Sequence, residues 1–139
     1  MKKILVPIII SVVFLMAPVL AIGASVTGSI QGFNCVTQGK VCPIGMEDPV
    51  VAVENVFVLL VDAAKGNYYF IPNVDRGVLA RHIGQQVKVD GNVNSKMKSV
   101  HASDIYTMAA DKSWKKVWST NWEDKIYSDI MGANPLKGQ

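Results

Sequence analysis

From residue 26 onward, apolar residues alternate with polar or small ones in short bursts, the period of a half-buried strand. Residues 26–33 (Val26, Gly28, Ile30 and Gly32 among them) predict a first strand. Residues 56–61 form a run rich in β-branched side chains and predict a central strand. Residues 62–67 supply a turn, and residues 68–71 a return strand that Pro72 stops. A helix follows. Asn73 or Asp75 can cap it, Val78, Leu79, His82 and Ile83 fall at helical spacing, and Gly84 suits its C-terminal end. Val87, Val89, Gly91 and Val93 then alternate with Lys88, Asp90 and Asn92, as a strand does. Residues 94–96 turn the chain into a last strand over 98–107, with Val100, Ala102 and Ile105 facing inward. Between the first two strands, residues 43–49 hold two prolines and a glycine and read as a loop. Residues 50–53 read as a short extended piece.

A helix between the third and fourth of five strands is the order of the OB barrel, named for oligonucleotide and oligosaccharide binding. The expected fold is therefore all-β with one or two helices: a five-stranded OB-like Greek-key barrel over residues 24–108. A Trp-rich helical tail over 109–139 follows. In that tail Trp114, Trp118, Trp122, Ile126 and Ile130 stand four apart, which on a helix makes one apolar stripe. Thr120 and Glu123 match a capping box, so the tail divides into two short helices near Ser119. Gly132 and Pro135 end it. The stripe has three readings: it packs on the barrel, it docks a partner protein, or it lies on a membrane surface.

The chain has 139 residues, half of them hydrophobic and 18% charged, which excludes a disordered or low-complexity protein. The first 23 residues skew this composition. Lys2 and Lys3 precede an uncharged apolar run, and Ala21 and Gly23 place small residues before Ala24. This is the layout of a secretory signal peptide cleaved ahead of Ala24; the alternative is an uncleaved anchor. Either way the remainder faces the periplasm or the exterior, since Lys2 and Lys3 stay inside. Removing residues 1–23 takes away two lysines and no acid, so the formal charge falls from +3 to +1 over 116 residues. The isoelectric point of 8.9 overstates how basic the working chain is. A charge so near neutral, together with export, speaks against a nucleic-acid partner.

Only two cysteines occur, Cys35 and Cys42. The segment between them is symmetric about Gln38 and Gly39, and Gly39 permits a positive φ. A hairpin would set Cys35 opposite Cys42, within disulfide reach. Closing this loop is worth about 2.5 kcal/mol in the chain-entropy account. Two alternatives remain. One is a soft-metal site, copper or haem-handling, from Cys35, Cys42, Met46 and His101. The other is a redox dithiol, without C-x-x-C spacing.

Gly28-Ser29-Ile30, the cysteine-bearing insertion, Val58-Leu59-Leu60, Tyr69-Phe70, Leu79-Ala80 and the stretch from Gly84 to Gly91 line up in order. This resembles small secreted bacterial OB-like proteins, over about residues 26–107. The resemblance implies a fold and no site. The periplasmic haem chaperone of cytochrome c maturation is also a tethered OB barrel, with a haem-linking histidine beyond the barrel; residues 106–112 here hold no histidine, so that function is not carried over. There is no G-x-S-x-G, H-E-x-x-H or P-loop, and His82 and His101 read as surface or half-buried residues. Glu47, Asp48 and Glu54 read as solvated acids. OB barrels bind through their second and third strands and the loops after the first and fourth. The candidate contacts are therefore Phe33, Met46, Tyr69 and Met97, with Trp114, Trp118 and Trp122 in the tail. The alternative for Phe33 and Tyr69 is a place in the core. The expectation is an exported, non-enzymatic binding or accessory module with no cofactor. Its partner is an envelope protein, with membrane contact through an uncleaved N-terminus or the tail as the alternative.

Overall fold

The computed structural model describes residues 23–132. The expected signal segment lies outside the described residues except for Gly23, and so does Pro135. Among the described residues the fold is mostly β: one six-stranded antiparallel sheet and four helices, the last of them towards the C-terminus. The strands are β1 (Ala24–Gly32), β2 (Phe57–Asp62), β3 (Asn67–Phe70), β4 (Gln86–Asn94), β5 (Ser99–Met108) and β6 (Trp114–Ser119). The helices are α1 (Phe33–Thr37), α2 (Glu47–Val53), α3 (Arg76–Ala80) and α4 (Thr120–Gly132).

The sheet order is β3-β2-β1-β4-β5-β6, and β3 also meets β5 in parallel at Phe70 and Ser99. There the Phe70 N–H donates to the Lys98 carbonyl at 2.7 Å. The alternation in β4 and β5 sends Val87, Val89, Val100, Ala102 and Ile105 into the core beside Ile30, Leu59, Leu79 and Ile83. A register shift at Asp90 and Gly91 lets Ala102 and Ile105, three apart, both face inward. Asp75 caps α3, its carboxylate accepting the Gly77 N–H at 2.6 Å, and Gly84 takes a φ of +73° after the helix.

Three local expectations are corrected. The cysteine segment is not a hairpin: Cys35 lies in the short helix α1. Gly39 does adopt a positive φ, +71°, but it closes this helix. The Gly39 N–H reaches the Val36 carbonyl and the Lys40 N–H reaches that of Cys35, the two bonds of a Schellman end. Residues 50–53 are helical, as the second half of α2. Glu47 and Asp48 lie in its first turn, where negative charge meets the unpaired N–H groups. Finally, residues 114–119 are strand β6, so the Trp-rich tail over 109–139 is helical only from Thr120. The break near Ser119 falls as expected, but the capping box does not form. The Thr120 hydroxyl donates to the Ala102 carbonyl, and Glu123 accepts from the Trp118 indole.

Candidate functional site

Two places in the fold gather unusual chemistry. The first surrounds the two cysteines at the C-terminal end of β1. Cys42 is buried, Cys35 partly exposed, and their sulfurs stand 3.2 Å apart without a bond between them. Cys42 is held from three sides. Its N–H donates to the Gln31 side-chain carbonyl at 2.6 Å, its sulfur accepts the Gly32 N–H at 3.1 Å, and its thiol donates to Cys35.

Glu54 completes the cluster. It is only 2% exposed, and its two carboxylate oxygens accept the N–H groups of Asn34 and Cys35, each at 3.1 Å. These are first-turn N–H groups of α1, which have no partner inside the helix. A carboxylate 20 residues downstream satisfies them, and this favours a helical turn here over the expected hairpin. The Glu54 side chain fills the space where a β-carbon on residue 32 would stand, so Gly32 makes room for it. Arg76 fixes the backbone behind it by donating to the carbonyls of Glu54 and Val51. Burial, then hydrogen bonds with Cys42 and Glu54, push the Cys35 thiol up from 9.0 to about 12. At neutral pH Cys35 is therefore a protonated thiol.

The second place is a groove of about 420 Å³ between α3 and the β6–α4 arm. Val78, Val117, Trp118, Trp122, Ile126 and Ile130 supply its apolar walls. Trp118 is a core residue and anchors the arm. Beyond it, α4 has no buried residue at all. Trp122, Ile126, Tyr127, Ile130 and Met131 are each at least half exposed.

The remaining sequence candidates scatter. Phe33 packs at 5.8 Å from Tyr68 and 5.5 Å from Phe70 on the outer face of β2 and β3. There α1 adds Val36 against Val58 and Leu60, so the insertion covers the face expected to bind. Tyr69 points the other way and packs against the main core. Met46 and Met97 are exposed in separate loops. Trp114 pairs with Met108, with Lys88 5.8 Å from its ring centre. The four alternative metal ligands do not converge. Cys42 sits at Gly32, whereas His101 pairs with Asn92 beyond Ala24, about 26 Å away along β1. Among the described residues no group of three or more His, Cys, Asp or Glu could hold a metal ion.

Sequence reasoning found the cysteine pair and the tail, read Glu54 as a solvated acid where it is buried, and missed Gln31, Tyr68 and Phe70. For Glu54 a signal was present: it is the single charged residue in the stretch 50–61, where Asn55 is the only other polar residue. Comparisons with family models, with curated proteins and with solved structures give no match. Among the described residues no helix is long and apolar enough to cross a membrane.

Proposed function

We propose that the chain is an exported, non-enzymatic OB-type binding module of the bacterial cell envelope that holds a partner protein along α4. The observation that carries this is the composition of α4. Thirteen residues expose five large apolar side chains and bury none. A helix this short is marginal in water unless its apolar face is covered. The occupant is an amphipathic helix of another protein, with its apolar side in the groove and basic residues at its edge. Glu123, Asp124 and Asp129 against Lys125 leave α4 with net negative charge, which suits a basic partner and repels an anionic lipid surface.

The OB reading draws on α3 lying between β3 and β4, on β1 pairing with both β2 and β4, and on the β3–β5 contact. These would join five strands into a ring, with β6 and α4 as an added arm. Export rests on the basic and apolar pattern of residues 1–23, and it makes a Cys35–Cys42 disulfide the expected state of the pair.

The test is a photo-reactive residue at position 126 in the full chain, irradiated in cells, with position 65 on the β2–β3 turn as control. The expected result is a discrete protein adduct from position 126 alone, in the envelope fraction, on a chain that starts at Ala24. Asp124→Lys with Asp129→Lys weakens it. An adduct with lipid or with a second copy, or no adduct, overturns the proposal.

A further inference from the structure

We infer that the groove along α4 and the cleft beside the cysteine loop are one binding surface joined at Arg81, and that it takes a single partner segment whose charges run basic, acidic, basic between apolar residues. This rests on the reading that α4 holds a partner protein, and it names the extent and the chemistry of what that partner presents.

The two hollows meet at one side chain. Arg81 stands at the C-terminal end of α3 and lines both the groove of about 420 Å³ and a cleft of about 340 Å³. Cys42, Pro43, Ile44 and Glu47 line the cleft together with Ile83 and Gln85. An occupant of the groove that continues past Arg81 therefore enters the cleft. There it meets Ile44, which at 94% is the most exposed large apolar residue among the described residues. The loop that carries Ile44 is already fixed in shape. Cys42 is tied to Gln31 and Gly32, Gly45 takes a φ of +77°, and the Gly45 N–H donates to the Glu47 carboxylate at 3.0 Å. A side chain presented this way binds with little further ordering cost, and covering it removes apolar area from water.

Charge selects what can lie there. Glu123 lines the groove, and Asp124 and Asp129 add to the acidity of α4. Glu47 lines the cleft, and Asp48 follows it in the first turn of α2. Between these acidic ends stands Arg81, exposed and, among the described residues, without an ion pair. A guanidinium pairs best with a carboxylate, through two parallel hydrogen bonds. A partner that lies along the whole surface thus sets an Asp or Glu on Arg81, with Lys or Arg on either side. A uniformly basic helix would meet Arg81 with like charge, which costs affinity. An anionic lipid layer or a nucleic acid would meet like charge at both ends.

The test places a photo-reactive residue at position 126 or at position 85 of the full chain, irradiates cells, and maps the cross-linked sites on the captured protein by mass spectrometry. Both positions should capture the same protein, on one continuous segment with an acidic residue between basic ones. Arg81→Glu should lower both yields by about tenfold, and reversing the acid on the partner to Lys should restore them. Ile44→Ser changes an exposed side chain that the fold does not need, and it should lower the yield at position 85 more than that at 126. Capture at 126 with none at 85, or capture of two different proteins, overturns this inference and leaves the α4 reading standing. A yield at position 85 indifferent to Arg81→Glu or to Ile44→Ser overturns it as well. No protein captured at position 126 overturns both.

Discussion

Gly91 sits where β4 and β5 shift register, and a β-carbon there would run into the backbone of His101 and Ala102. Neither strand can retreat, because both face the core. Gly39 is a different case: it needs its positive φ, but nothing lies within 4 Å of a methyl group added there. Gly91→Ala should therefore cost about 3 kcal/mol in urea unfolding. Gly39→Ala should cost about 1 kcal/mol, the strain of a left-handed residue. Equal losses in the two variants would refute the close-approach account of Gly91. The two glycines also mark what could be read from the chain. Gly39 announces a positive φ by its setting, and that expectation holds even though the turn it serves differs. Glu54 is marked only by its apolar neighbours, and its residue type points the other way, since a carboxylate is ordinarily solvated. Its partners are backbone N–H groups, which leave no trace in the identity of residues 34 and 35.

At the scale of elements, the strands of alternating residues were legible and the pieces built from longer-range contacts were not. Trp114 and Trp118 stand four apart. Four is one helical turn, but it is also an even number, so a regular strand would equally put both on one face; here a register shift sets Trp118 opposite Ile105 and Trp114 opposite Met108, three residues apart on β5. The spacing alone cannot choose, and pairing with β5 decides for the strand: Trp118 lies opposite Ile105 and joins the core. Trp118→Ala should cost about 3–5 kcal/mol of stability. A chain ended after residue 119 should keep a single cooperative transition and lose less than that variant does, because α4 buries nothing. A larger loss on truncation would show that α4 holds the sheet together. The β5–β6 pair also carries the ion pair of Lys116 with Asp104 at 2.8 Å. The hydrogen bond from Lys116 holds the Asp104 carboxyl below its ordinary 3.8, and the same bond raises Lys116 above 10.5. A carboxyl lowered on folding stabilises the fold above its unfolded value and loses that contribution as pH falls through the folded one. A lysine raised on folding does the reverse at the alkaline end. Urea unfolding should therefore separate wild type from Asp104→Asn at pH 7. The gap should narrow as pH drops below 3.8, and added salt should shrink it at pH 7.

Across the whole molecule, the order of strands and helix follows from local patterns, while the ties that bring distant strands together hang on single side chains. Asn73 is the clearest. Its amide N–H donates to the Ala102 carbonyl and its carbonyl accepts the Ala102 N–H, both at 2.8 Å. The side chain thus pairs with β5 as a neighbouring strand would, across 29 residues of sequence. It does so beside the β4–β5 register shift, where Ala102 lies opposite Gly91. As a sequence feature Asn73 offers only a possible helix cap, and Asp75 takes that place. Asn73→Ala strands the Ala102 N–H, while the Ala102 carbonyl keeps the Thr120 hydroxyl at 3.2 Å. The cost should be about 2 kcal/mol, the desolvation of one buried donor left unpaired. Asn73→Asp should be no better, because a carboxylate would accept from the N–H while facing the carbonyl oxygen. Amide exchange at Ala102 distinguishes this account from a general loosening. In Asn73→Ala the Ala102 N–H should exchange much faster while Val87 and Val89 in the core of β4 stay protected in proportion to global stability. Uniform acceleration along β4 and β5 would mean that Asn73 only adds to overall stability. A local effect would mean that it is the clasp between the chain leaving β3 and the middle of β5.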